Sequence, residues 1–192
     1  MKSKIYALLG FSGSGKDTTM RTILERHDDL QNVVSWTTRP MRQGEQHGRE
    51  YYFTNSNEFN SMYENGEFIE IREYFVANGD TWYYGFTTSE LDEKLSRGNV
   101  VMIIDLDGFK EMKEIYKDKC IGIFLKVDLD TLIQRILNRE ELTWEVVSEA
   151  VRRLNDDKDR AFNGYEDWVD YVIDTDNSEF SVEKIEEIIY GE

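Results

Sequence analysis

Near the N-terminus, Gly10-Phe11-Ser12-Gly13-Ser14-Gly15-Lys16-Asp17-Thr18 follows the pattern G-x-x-x-x-G-K-[ST] in all but its last place. Glycines at this spacing let the backbone bend sharply and turn its N–H groups toward phosphate oxygens, and the lysine adds a full positive charge. The chemistry implied is the binding of a nucleoside triphosphate. Gly10, Ser12, Gly13, Ser14, Gly15, Lys16, Asp17 and Thr18 are its candidate contacts, with Lys16 reaching the β/γ-phosphates. Asp17 stands where a Ser or Thr hydroxyl usually meets magnesium. Two routes stay open: Thr18 or Thr19 takes over that contact, or Asp17 holds the ion through water. A plain Gly/Ser turn before an ordinary lysine is the competing reading, and the flanking residues argue against it.

A second constellation lies in Thr37-Thr38-Arg39-Pro40-Met41-Arg42-Gln43-Gly44-Glu45, followed by Gly48-Arg49-Glu50-Tyr51. If this segment makes a hairpin-like return, Arg39 and Arg42 come near Tyr51. Two guanidinium forks and a phenol suit a phosphate monoester, because arginine binds phosphate through two parallel hydrogen bonds. The plainer alternative is a solvated basic turn balanced by Glu45 and Glu50.

These residues need elements to hold them. Ile5 to Leu9 is an apolar run of strand length, and Met20, Ile23 and Leu24 recur at helical spacing, so the glycine-rich loop joins a buried strand to a helix N-terminus. Val100 to Ile104 and Ile121 to Val127 read as further buried parallel strands, and Tyr171 to Ile173 as a weaker late one. Helical stripes lie between and after them. Thr87 with Glu90 forms a capping box before Leu91 and Leu95, with Gly98 as the stop; Phe109, Met112 and Tyr116 share a face. Leu129, Leu132, Ile133, Ile136 and Leu137 form the clearest stripe, Val146, Val147, Ala150, Val151 and Leu154 the next, and Val182, Ile185, Ile188 and Ile189 the last. Such alternation predicts a layered α/β domain with its ligand at the carboxyl ends of the strands. Residues 33–86 break the alternation with β-branched and aromatic runs, turn signals at Gly44, Gly48 and Asn78-Gly79, and a short helical pattern at Phe59, Met62 and Tyr63. They read as a small mixed insertion.

Composition narrows the function classes. With 192 residues and 40% hydrophobic content the chain supports one sizeable core. A formal net charge of −16 opposes non-specific binding to nucleic acid or an anionic membrane. Cys120 is the single cysteine, which excludes an intrachain disulfide, fits a reducing cytoplasm and reads as core packing. No signal peptide and no membrane span are expected.

The order and spacing of Gly10 to Thr18, Ser35 to Glu45 with Gly48 and Tyr51, Gly66-Glu67-Phe68-Ile69-Glu70, Tyr83-Tyr84-Gly85 and Asp105-Leu106-Asp107 resemble the guanylate kinases. The resemblance runs along nearly the whole chain. It implies a P-loop kinase fold: a three-layer α/β/α core with a parallel sheet (1–34, 88–134 and 155–192), an inserted small mixed α/β subdomain for the nucleoside monophosphate (35–87), and a helical lid (135–154). It implies ATP and magnesium, and transfer of the γ-phosphoryl group to GMP or dGMP in the cytoplasm. A monomer or homodimer is expected, with small-molecule nucleotides as partners.

Carried over residue by residue, Arg39, Arg42, Tyr51 and Tyr84 bind the acceptor phosphate, and Ser35, Glu70 and Asp107 read the base. A carboxylate accepts from guanine N1–H and the exocyclic amine, whereas it would meet the N1 lone pair of adenine. Asp105, ending a buried strand, joins Asp17 and Thr18 as a candidate magnesium residue, the competing role being a helix N-cap. In the lid, Arg135 and Arg139 lie four apart on one helix face, and with Arg153 they close over the phosphates beside Lys16. Ordinary salt bridges to Asp130, Glu140 or Glu149 are the alternative.

Several positions depart from the family pattern. Phe86 precedes Thr87 where a base-binding hydroxyl usually follows the Tyr-Gly pair, so Thr87 is the substitute. The segment from Tyr74 to Trp82 is longer than usual, the Gln-Gly element after Asp107 is replaced by Gly108-Phe109, and the lid between Arg139 and Arg153 is longer too. Asp174 or Thr175 takes the place of a late Asn near adenine. These departures bear on the acceptor base more than on the reaction. They keep two alternatives in view: a related P-loop kinase for another phosphorylated acceptor, and a non-catalytic guanylate-kinase-like module that binds a phosphorylated protein.

Overall fold

The computed structural model describes residues 3–42, 44–76, 79–137, 144–156, 164–175 and 178–191. Strand β1, Ile5–Leu9, is buried at every position. The two-residue period of a strand divides it: Ile5, Ala7 and Leu9 enter one apolar cluster, Tyr6 and Leu8 another. Four more strands complete its sheet: β2 (Gln31–Asn32), β7 (Val100–Ile103), β8 (Cys120–Lys126) and β9 (Tyr171–Asp174). The order is β2-β7-β1-β8-β9 and every pairing is parallel.

Parallel neighbours require crossovers, and the helices that make them cover both faces. On one side, α3 (Thr88–Arg97) and α4 (Leu106–Tyr116) pack Leu91, Leu106, Phe109 and Met112 against Ile5, Ala7 and Leu9. On the other, α1 (Lys16–Arg26) and α7 (Ser178–Tyr190) pack Ile23, Val182, Ile185 and Ile189 against Tyr6 and Leu8. The core is therefore the expected three-layer α/β/α arrangement. Cys120 is fully buried within it, and burial pushes its thiol up to about 12, as suits a packing residue.

A second sheet is drawn wholly from between Trp36 and Thr87. It contains β3 (Trp36–Thr37), β4 (Tyr52–Phe53), β5 (Phe68–Phe75) and β6 (Thr81–Thr87), in the order β4-β3-β6-β5. Helix α2, Ser56–Glu64, is capped by the Asn55 side chain, which accepts from Glu58 N–H, and it stacks Phe59 on Phe68 with ring centroids 4.4 Å apart. Helices α5 (Leu129–Leu137) and α6 (Trp144–Asp156) follow β8.

Two local expectations are corrected. The segment from Arg39 to Tyr51 is not a hairpin-like return, because β3 and β4 pair in parallel, Trp36 with Tyr52, and need a longer crossover. The capping box at α3 does not form: Thr87 is the N-cap residue but its side chain makes no cap hydrogen bond, and Glu90 instead accepts from Val34 N–H at 3.2 Å. A backbone donor from the connection between β2 and β3 outcompetes the local one. The expected N-cap alternative for Asp105 is realised, its carboxylate accepting from Gly108 N–H at 2.8 Å.

Candidate active site

The glycine-rich loop joins β1 to α1 as its pattern demands. Gly13 and Gly15 have φ of 87° and 96°, values that a side chain makes costly, and Gly15 is the N-cap of α1. The first turn of a helix leaves N–H groups without partners, so this loop ends in a ready anion site. Lys16 Nζ donates to Gly10 O at 2.7 Å and Phe11 O at 3.0 Å, arching back over the loop. The Ser14 hydroxyl is buried without a protein partner. Asp17 and Thr18 are exposed on the first helical turn, whereas Thr19 is buried.

Arg135 of α5 reaches this loop. It donates from Nη1 to Ser14 O at 3.3 Å and Gly13 O at 3.4 Å, and from Nη2 to Thr175 O at 2.8 Å. Thr175, just past β9, is buried and donates to Lys126 O at 2.9 Å. Of the two candidates for the late Asn position, Thr175 is thus the one tied to the loop. Arg139 lies outside the described residues; Arg153 belongs to α6, and its side chain lies outside them.

The opposite wall is one face of the second sheet. On β5, Glu70, Arg72 and Tyr74 alternate onto it, and their partners on β6 are Phe86, Tyr84 and Trp82. Tyr84 meets Tyr74 and Tyr51 edge-on, with centroids 5.3 Å and 5.7 Å apart. Arg39 is 3% exposed, lies 5.1 Å over the Tyr51 ring, and is held bidentately by Glu45 at 3.0 Å and 2.7 Å. Burial alone would lower its basicity, but the bonded Glu45 raises it, and in return Glu45 is held below the usual carboxylate range. The basic-turn alternative is half right: Glu45 does balance Arg39, and Glu50 pairs with Arg49. Burial pushes the Tyr51 hydroxyl up to about 12, with Tyr84 and Asp17 adding to it. The charge of Asp17 is among those felt at Tyr51, so the first turn of α1 lies within electrostatic reach of the aromatic wall.

Glu70 is the most perturbed carboxyl of this wall. Burial raises it to about 8, against the opposing pull of Arg72 and the further push of Asp105 and Glu111; the Phe86 N–H bonds one oxygen, while Oε2 has no hydrogen-bond partner. Gly108 is there because nothing larger fits: a Cβ would stand 2.8 Å from Ile104 and 3.1 Å from Glu70 Oε2.

The sequence-derived site is brought together only in part. Arg39, Tyr51, Tyr84 and Glu70 share the wall. Ser35 is half-buried and donates to Trp36 O at 3.1 Å. Thr87 is buried at the start of α3, and Arg42 is exposed with its backbone N–H on Glu45 at 2.7 Å. Asp107 does not join them: it is exposed and paired with Lys110 at 3.3 Å. Asp105 does, accepting from Arg72 Nε at 3.1 Å and Tyr74 Oη at 2.9 Å. Arg72 and Tyr74 are contributors that sequence reasoning missed, although the alternation Glu70-Arg72-Tyr74 was a signal for them.

A family model for guanylate kinase matches residues 2–192. The chain is 30% identical over 186 residues to the guanylate kinase of Legionella pneumophila (strain Paris), covering 96% of this chain and 84% of the relative. It is 31% identical over 192 residues to that of a Nostoc species, covering 100% of this chain and 92% of the relative. The crystal structure of guanylate kinase from Anaplasma phagocytophilum is similar with a TM-score of 0.72 at 25% identity, covering 98% of this chain and 85% of the other.

Proposed function

The chain belongs to the guanylate kinase family, and from that premise we propose that it transfers the γ-phosphoryl group of ATP to GMP or dGMP, giving ADP and GDP or dGDP. One observation carries the reading at the level of the site: a lysine-bearing phosphate loop faces an arginine- and tyrosine-lined wall that ends in a buried carboxyl with an oxygen to spare. The loop and α1 take the triphosphate, and Arg39 with Tyr51 and Tyr84 takes the acceptor phosphate. Glu70 takes the guanine N1–H and amine.

The acceptor is already a phosphate oxygen, so the reaction needs no strong general base. Catalysis then rests on positioning and on stabilising charge spread over the transferring oxygens. Lys16 exchanges the carbonyls of Gly10 and Phe11 for phosphate oxygens that gain charge toward the leaving group. Arg135 anchors α5 to the loop, and Arg139 and Arg153 supply further positive charge over the phosphates.

Asp17 and Thr18 would hold magnesium. Their hard oxygen atoms are exposed on the first turn of α1 beside the phosphate loop, a donor set that fits a magnesium ion carried with the triphosphate. When bound, the ion neutralises phosphate charge. Among the described residues no group of three or more His, Cys, Asp or Glu side chains could cage a metal, so nucleotide phosphates and water would complete its shell.

Asp107 is left out of base reading and Asp105 out of the metal set, since Asp105 is bonded by Arg72 and Tyr74 on the acceptor wall. No helix among the described residues is long and apolar enough to cross a membrane. We assign the protein to the cytoplasm as a monomer or homodimer.

A coupled ADP assay with ATP, magnesium and the common nucleoside monophosphates tests the proposal. GMP or dGMP should be the best acceptor, with no turnover when the acceptor is omitted. Equal use of all bases, or a clear preference for another phosphorylated acceptor, would refute the assignment.

A further inference from the structure

We propose that Arg72 is a specificity-determining residue that donates to O6 of the acceptor base beside Glu70. The inference rests on the guanine-nucleotide reading above and assigns a further contact to it. Arg72 Nε is bonded to Asp105 Oδ1 at 3.1 Å and Nη1 to Ile71 O at 2.6 Å. Nη2 lies 3.1 Å from Glu111 Oε1 as an ion pair but is buried without a hydrogen-bond partner. Glu70 Oε2, 3.6 Å from Nε of the same guanidinium, is buried without one as well.

A buried donor held only by an ion pair without hydrogen-bond geometry, next to a buried acceptor with no hydrogen bond, is under-satisfied in the free protein and is relieved by a ligand that presents the complementary pair. Guanine does so on one edge, where the O6 acceptor adjoins the N1–H donor. Adenine reverses both, setting its N6 amine against Arg72 and its N1 lone pair against Glu70. Phe86 stands opposite Glu70 on β6, the Ser35 hydroxyl is spent on a backbone carbonyl, and Thr87 is buried at the start of α3. Rejection of adenine then comes from two mispaired groups rather than one, the situation in which polar sites discriminate most sharply.

The test compares kcat/KM for GMP, 6-thio-GMP and IMP in wild-type protein and in R72M. The thio analogue weakens the acceptor at position 6 and keeps N1–H and the 2-amino group; IMP lacks only the 2-amino group. Wild type should favour GMP over 6-thio-GMP by roughly tenfold to a hundredfold, the range for a hydrogen bond from a charged donor. R72M should bring that ratio close to one while leaving the GMP/IMP ratio, read by Glu70, unchanged. Parallel loss on GMP and 6-thio-GMP, or collapse of the GMP/IMP ratio instead, would mean that Arg72 only arranges its carboxylate neighbours, and would overturn the proposal. If R72M shows no cooperative melt, R72K carries the test, since it keeps the charge and loses the fork: the thio ratio should narrow, and an unchanged ratio overturns the role. Wild-type protein that phosphorylates GMP and 6-thio-GMP equally well overturns the role of Arg72 alone. Wild-type protein that phosphorylates none of the three overturns the guanylate kinase reading with it.

Discussion

Both terminal nitrogens of Arg39 are bound by Glu45, Nη1 to Oε2 at 3.0 Å and Nη2 to Oε1 at 2.7 Å. The carboxylate occupies the same fork that a phosphate would use, so it serves the free protein by compensating a charge that is 3% exposed.

Replacing Glu45 with Gln should therefore have two effects. Arg39 loses its counter-ion and the fold loses about 1–3 kcal/mol, the range for a buried charged hydrogen bond left incomplete. The guanidinium also loses its orientation, so KM for GMP should rise about tenfold with KM for ATP unchanged, by steady-state kinetics. A normal melting temperature and a normal KM together would show that the Tyr51 and Phe53 rings and the Pro40 carbonyl hold Arg39 without Glu45.

Glu70 makes acceptor binding depend on pH. Its carboxyl is raised to about 8, first by burial, and the charged groups facing it are Arg72, Asp105 and Glu111. Guanine donors need the ionised form, so GMP should expel a proton at neutral pH. Affinity should climb up to about tenfold per pH unit between pH 6 and 8, then level off. The ligand-free fold should behave in the opposite sense. An unfolded Glu titrates near ~4.3, so between there and about 8 the folded state holds the extra proton, and stability falls as pH rises through that window. Calorimetry in buffers of different ionisation enthalpy and melts across pH check both, and Glu70→Gln should flatten both slopes.

Lys16→Ala should leave the fold intact, because the bonds from Nζ to the Gly10 and Phe11 carbonyls lie at the edge of a loop. Loss of a cation that meets the developing charge should lower kcat at least about a hundredfold, with a smaller effect on KM for ATP. Near-normal kcat in a single-turnover assay would remove Lys16 from the chemistry.

The central sheet was legible because burial on both faces forces a continuous apolar run, as in Ile5 to Leu9 and Val100 to Ile103. Strand β5 was far less so. Its alternation of Glu70, Arg72 and Tyr74 with Ile69, Ile71 and Glu73 looks too polar for a core strand, since one face is the site itself. The residues that hid the strand are those that give it a purpose. Asp105 and Asp107 show the same limit: two residues apart in sequence, they part company because Asp105 caps α4 while Asp107 points from its first turn to Lys110. Sequence spacing alone could not say which one faces the acceptor.

Gly108→Ala tests how closely α4 approaches the acceptor wall. The added methyl would press on Ile104 at 2.8 Å and on Glu70 Oε2 at 3.1 Å. Overpacking of this kind costs about 1–3 kcal/mol, so the melting temperature should fall. The disturbance reaches Glu70 but not the phosphate loop, so KM for GMP should rise while KM for ATP stays. Equal rises would show a general loosening of the fold.

The two sheets are joined covalently at only two places, residues 33–35 and the direct passage from β6 into α3 at Thr87-Thr88. The two crossings lie side by side, since Trp36 pairs with Gly85 and Val34 donates to Glu90. A panel mounted on two adjacent pins swings about the line through them and resists most other movement. Across from those pins, Arg72 and Tyr74 on Asp105 and Arg72 on Glu111 tie the free edge of the panel to α4, so a base that bonds Arg72 would bear on the fastening furthest from the hinge line.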